Sequence, residues 1–114
     1  MAKYLKIIIL FSAILLQSCA SGLFIKKEIY PHTMLLDGNG SSLQIESDAL
    51  SGPYNMDQHI DSITTGIEQS EQKEIMIYIH GGMKPIEESL AETEEQIPLI
   101  NQEGEYYPIY INWE

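Results

Sequence analysis

Cysteine occurs once in the chain, at Cys19, so no intrachain disulfide can staple the fold. Basic residues are scarce: six stand against 17 Asp and Glu, a formal net charge of −11. A surface this acidic repels phosphate backbones and anionic headgroups, which excludes nucleic acid as a partner. The longest predominantly apolar run, Ile7 to Leu16, has only ten residues. A helix of that length covers about 15 Å, roughly half the hydrocarbon thickness of a bilayer, which excludes a permanent span. Internal repeats are lacking, as are Gly/Ser-rich or Pro-rich linkers, and 114 residues allow at most one small domain.

What is present begins with a basic end, Lys3 and Lys6, ahead of that apolar run. This is the pattern of a secretory signal, and it predicts a cleaved helical leader over residues 1–18. The run closes on Leu16-Gln17-Ser18-Cys19, which resembles the lipobox of bacterial lipoproteins. The resemblance implies that the Cys19 thiol is acylated, with palmitate-type chains, and that Cys19 becomes the N-terminus. Each buried lipid methylene contributes about 0.8 kcal/mol, so several chains hold a protein firmly on a membrane. The expected location is the cell envelope, lipid-anchored. Ala20 in place of Asp resembles the outer-membrane form of the signal if the organism is Gram-negative. Beyond the leader, 4 Lys face 17 acids, a formal charge of −13 on the mature part.

Residues 19–30 read as a lipidated tether that merges into the first strand, and residues 31–114 as the domain. Thr33–Leu36 and Ser42–Glu46 flank the turn Asp37-Gly38-Asn39-Gly40, which predicts a β-hairpin. Asp37, Asn39 and Ser41 have the odd-position spacing of a calcium loop. Ser42 stands where that loop needs Gly and Asp48 where it needs Glu, so a plain turn is expected and no metal site. Met56, Ile60, Ile63 and Ile67 then form one stripe of an amphipathic helix capped by Asn55, with His59 expected at the surface beside it. The apolar run Ile75-Met76-Ile77-Tyr78-Ile79 suits a strand covered on both faces. Pro85 opens a second helix whose apolar side carries Ile86, Leu90 and Ile97, ended or bent at Pro98. Glu87, Glu88, Glu92, Glu94 and Glu95 make its solvated face. Tyr106–Trp113 reads as a last strand. The order hairpin, helix, strand, helix, strand is α/β, with the last two strands parallel across a right-handed helical crossover.

The segment Ile75-Met76-Ile77-Tyr78-Ile79-His80-Gly81-Gly82-Met83 resembles the third strand and oxyanion loop of the α/β-hydrolase fold. Tyr106–Trp113 looks like its fourth strand, and the hairpin would supply strands one and two. The resemblance implies that His80, Gly81, Gly82 and Met83 form the oxyanion loop, with the N–H of Gly82 or Met83 donating to a reacting oxygen and His80 bracing the loop. Such donors replace water around the negative charge of a tetrahedral intermediate. In this family the nucleophile sits in G-x-S-x-G after strand five, followed by an acid and a histidine. This chain has no such motif, and His32 and His59 precede the point where a triad histidine belongs. No residue is therefore assigned a catalytic role, and no cofactor is expected.

With a strand order of 1-2-4-3-5, the third strand would lack its outer neighbour, leaving Ile75–Ile79 as a bare edge. The expected function is that of an N-terminal fragment of a membrane-anchored serine esterase or lipase, inactive alone, with a partner chain or a missing C-terminal half pairing on that edge. The competing expectation is a small acidic envelope lipoprotein that acts as a binding or structural module.

Overall fold

The computed structural model describes residues 23–41, 43–72, 74–80 and 83–114. The leader, Cys19 and the glycine pair 81–82 lie outside the described residues. The described chain is mixed α/β, with two parallel sheets and two helices. Strand β1 (Leu23–Ile25) pairs with β3 (Ile45–Ser47) in one sheet. The other sheet holds β2 (Thr33–Leu36), β4 (Glu74–Ile79) and β5 (Tyr106–Trp113) in the order β2-β5-β4, all parallel. Helix α1 (Met56–Gln69) precedes β4, helix α2 (Ile86–Glu103) joins β4 to β5, and a 3-10 turn at Tyr30–His32 leads into β2. Parallel neighbours need a long crossover rather than a tight turn, and α2 is that crossover for β4 and β5.

The expected hairpin is not formed, although its turn is. Gly40 N donates to the Asp37 carbonyl at 3.0 Å, and the Asp37 carboxylate accepts from the N–H groups of Asn39 and Ser41 at 2.8 and 3.0 Å. The two arms then part. Thr33–Leu36 joins β5 in the register Thr33 with Tyr110 to Leu36 with Trp113, while Ile45–Ser47 pairs with β1. Pairing with β5 buries Leu35 completely, and pairing with β1 brings Ile45 together with the fully buried Ile25. Two arms in separate layers bury more apolar surface than a solvated hairpin. Ile25 and Ile29 both belong to the core, so packing reaches into the 19–30 segment.

Helix α1 starts where Asn55 Oδ1 accepts from Gln58 N at 3.1 Å, with Asp57 in the first turn facing the positive end of the helix dipole. Its buried line runs through His59 and Ile63 and leaves Ile60 45% exposed, a rotation of one position from the expected apolar stripe. His59 is therefore a core residue, not a surface one. Helix α2 buries Ile86, Ser89, Leu90, Thr93 and Ile97 and continues past Pro98 to Glu103. Proline removes one helical hydrogen bond. The fully buried Ile97 before it and Ile100 after it, packed against the core, hold the turn in place. Gly104, in the left-handed region at φ 72°, ends the helix and donates its N–H to Ile100 O at 3.3 Å.

Register assigns the faces of the larger sheet. Side chains of Leu35, Tyr110 and Asn112 point to α2, whereas Ile75, Ile77, Ile79, Ile109 and Ile111 share the opposite face. Pro108 sits inside the central strand at no cost to the ladder. Its carbonyl accepts from His32 Nδ1 at 2.8 Å on the β2 side, where β2 pairing begins only at Tyr110, so the missing N–H faces no strand.

Candidate functional site

In an open parallel sheet the natural place for chemistry is the carboxyl end of the strands, where side chains and loop amides converge. Here that end carries His80 after β4 and Trp113 at the close of β5. His80 is buried, and its ring lies against the indole with centroids 5.5 Å apart and planes at 29°. His80 Nε2 is 2.6 Å from the Trp113 carbonyl and 2.8 Å from the Trp113 N–H. The tautomer decides which of the two it bonds: protonated Nε2 donates to the carbonyl, unprotonated Nε2 accepts the N–H. Trp113 Nε1 returns a hydrogen bond to His80 O at 3.2 Å. The imidazole is held by β5, in a position to fix the start of the segment that follows β4. Of the four residues expected in the oxyanion loop, Gly81 and Gly82 lie outside the described residues, and Met83 is 99% exposed. Beyond it, Lys84 Nζ pairs with Glu92 Oε1 at 2.5 Å, and that bond raises the Lys84 pKa.

Beneath this end a buried polar cluster ties α2 to the sheet. Ser89 Oγ donates to Asn112 Oδ1. Asn112 Nδ2 donates to Thr33 Oγ1 at 2.9 Å and to Thr93 Oγ1 at 3.2 Å. Thr33 Oγ1 in turn donates to Tyr110 O at 2.9 Å. Every member is buried and bonded, the condition under which a polar cluster fixes one packing. Ser89 has an amide oxygen beside it and no base, so its hydroxyl is not poised as a nucleophile.

Two further histidines meet at the 3-10 turn, on the other side of the sheet's centre. His59 is fully buried, stacked on Tyr30 with centroids 4.1 Å apart and met edge-on by Tyr54. Its Nε2 bonds Tyr30 O at 2.9 Å, which requires a proton there, and its Nδ1 is 2.7 Å from the Tyr54 hydroxyl, which donates. His32 Nδ1 donates to Pro108 O, its Nε2 lies 3.4 Å from Asn101 Nδ2, and its ring tilts over Tyr107. Burial lowers both histidine pKa values, opposed in part by the backbone bonds. Burial also pushes the Tyr54 hydroxyl up to about 12, with Tyr30 adding to it.

Two clefts of about 280 Å³ each flank the loop 48–54 and share Leu50, Gly52 and Pro53. Neither reaches His80 or Trp113, and neither is lined by a histidine or a lysine. Groups of three or more His, Cys, Asp or Glu placed to hold a metal do not occur among the described residues. No described helix is long and apolar enough to cross a membrane.

The structure thus brings His80 to Trp113 and keeps His32 and His59 apart from them, at the opposite end of β5. The sequence reading missed Trp113, Asn112 and the burial of His59. Only Trp113 carried a signal, as the large residue closing the last strand. Comparison with protein-family models, with curated proteins and with solved structures returned no match.

Proposed function

We propose that this chain is the N-terminal part of a lipid-anchored serine hydrolase of the α/β-hydrolase type, acting on carboxylic esters and inactive by itself. The observation that carries the reading is the parallel β4-α2-β5 unit in a sheet ordered β2-β5-β4. The order departs from the expected one at the hairpin: Thr33–Leu36, expected as strand one, lies beside β5, where strand two was expected, and Ile45–Ser47 pairs with β1 in the other sheet instead. His80 stands at the carboxyl end of β4, and in this reading the segment it opens in the sequence, His80-Gly81-Gly82-Met83, is the oxyanion loop. β4 pairs with β5 alone among the described strands, and its Ile77 and Ile79 are 60% and 61% exposed. In this proposal a further strand, from a C-terminal half or a partner chain, pairs on that edge and brings the nucleophile, acid and histidine that residues 1–114 lack. The acylated Cys19 holds the assembly at the cell envelope.

The test is chemical. A product that extends the reading frame past Glu114 is expressed and treated with a serine-directed fluorophosphonate, beside the 114-residue chain. Labelling of the extended product alone, at a serine in a G-x-S-x-G segment, is the expected result. Absence of labelling in every extended product removes the enzyme, and leaves an acidic envelope lipoprotein that binds or braces.

A further inference from the structure

The three residues of the 3-10 turn are gripped on both sides by groups that are distant in sequence. Tyr30 O accepts from His59 Nε2 of α1, Pro31 O accepts from the Tyr107 hydroxyl at 2.7 Å, and His32 Nδ1 donates to Pro108 O of β5. Helix α1 packs chiefly against this turn, and Gly66 meets the Tyr107 hydroxyl beneath it. The turn is therefore the joint between α1 and the sheet, and a histidine stands at each of its ends.

We propose that His32 and His59 form a two-proton latch, through which acidification releases the 3-10 turn and helix α1 from the sheet while the α2-β5 layer stays folded.

The chemistry of the contacts supports this. His59 is enclosed by Tyr30 of the turn, by Tyr54 of the loop before α1, and by the backbone of Thr33 in β2. His32 is enclosed by Tyr107 and Pro108 of β5 and by Asn101 of α2. None of these groups carries a negative charge. The nearest carboxylates along α1 in sequence, Asp57 and Asp61, are exposed. A proton added to either ring thus creates a buried cation with no counter-ion, which is costly in a low-dielectric setting. At His32 it also sets an N–H against the Asn101 amide group. Both folded rings bind protons more weakly than unfolded ones, because burial lowers their pKa. Stability of the joint is therefore full above the ordinary histidine pKa of about 6.5 and falls as pH drops below it. His59 holds the first residue of the turn and His32, its last, holds the turn to β5, so loss of one grip weakens the other and the two protons enter together. The polar cluster of α2 and β5 has no histidine and is spared. The proposal rests on no part of the hydrolase reading.

Amide hydrogen exchange of the full chain, corrected for intrinsic rates, tests it between about pH 7.5 and 5. Protection of the 3-10 turn and the first turns of α1 is expected to fall by at least about tenfold, roughly 1.4 kcal/mol per tenfold step. Protection at Ile109 to Asn112 is expected to hold. A uniform loss across the chain, or no loss at the turn, overturns the latch. The variants His32→Asn and His59→Gln each keep the donor nitrogen without a titrating ring. The slope of local stability against pH is expected to fall from about two protons to about one in each, and to near zero in the double variant. Unchanged slopes overturn it as well. If a variant does not fold, the imidazole C–H resonances of the wild-type chain decide. An ordinary histidine titration in His32 or His59 while the turn stays protected rules the latch out.

Discussion

The Trp113 indole N–H donates to the carbonyl of His80 while the His80 ring meets the backbone of Trp113, so each residue holds the other's main chain. This reciprocal contact ties the carboxyl ends of β4 and β5 at the point where the loop after β4 begins. Trp113→Phe keeps an aromatic ring but removes the indole donor together with part of the ring surface that lies against His80. It is expected to lower stability by at least about 1 kcal/mol, the net worth of one hydrogen bond, in urea denaturation. Exchange at the Met83 amide should rise in the same variant; an unchanged rate would separate the lock from the loop.

Gly66 and Tyr107 make a second testable pair. A Cβ on Gly66 would lie 2.1 Å from the Tyr107 hydroxyl, which is buried, held protonated with a pKa of about 12, and bonded to Pro31 O. Gly66→Ala should destabilise by about 1–3 kcal/mol despite alanine's better helix propensity. In a Tyr107→Phe background, where the clashing oxygen is gone and the ring carbon at 3.1 Å remains, the same change should cost less. Equal costs in both backgrounds would show that the close approach does not matter.

Asn112 serves Ser89, Thr93 and Thr33 at once. Asn112→Leu is nearly isosteric and strips every one of those bonds; Thr33 keeps its bond to Tyr110 O and Thr93 its bond to Ser89 O, so the Ser89 hydroxyl is the one left to find a partner in a buried site. A loss of about 1–3 kcal/mol is expected from thermal or urea unfolding, above the cost of a single surface change. A loss under about 1 kcal/mol would mean that the cluster contributes little.

The bare edge of β4 predicts concentration-dependent behaviour. The strand has no proline, bulge or inward charge, and Glu74 at its start is its only charge. The chain from residue 20 onward, produced without lipid, should self-associate in sedimentation experiments at micromolar concentration. Ile77→Lys places a charge mid-strand and should restore a monomer while changing stability by less than about 0.5 kcal/mol. A wild-type monomer under those conditions would count against the need for an outer neighbour.

Much of the layout was legible from periodicity. The two helices and the strands at 74–79 and 106–113 follow from stripes of period 3.6 and from apolar runs too short for helices. Partner choice was not. The alternating arms around Asp37–Gly40 carry every local mark of a hairpin, yet each finds a better partner at long range, because burial of Leu35 and Ile45 is decided by strands elsewhere in the chain. His59 was misplaced for a similar reason. A helical stripe can pass through Ile60 or through His59, and only Tyr30 and Tyr54, which satisfy both ring nitrogens, make the second course the lower in energy. Pro98 shows the limit of residue rules in the other direction, since core packing on either side outweighs one absent hydrogen bond. At the strand ends the sequence pointed to His80, but Trp113 as its counterpart is a property of register alone.

The register between Thr33 and Tyr110 also governs how the protein can be made. β5 is the middle of its sheet and the last strand of the described chain to leave the ribosome, 77 residues after the Thr33 whose hydroxyl bonds it. Until those final residues are synthesised, β2 and β4 have nothing to lie against, and α2 has no platform. The larger sheet of the nascent polypeptide therefore stays unassembled until synthesis has passed Trp113, the state that the proposed export through a membrane channel would require.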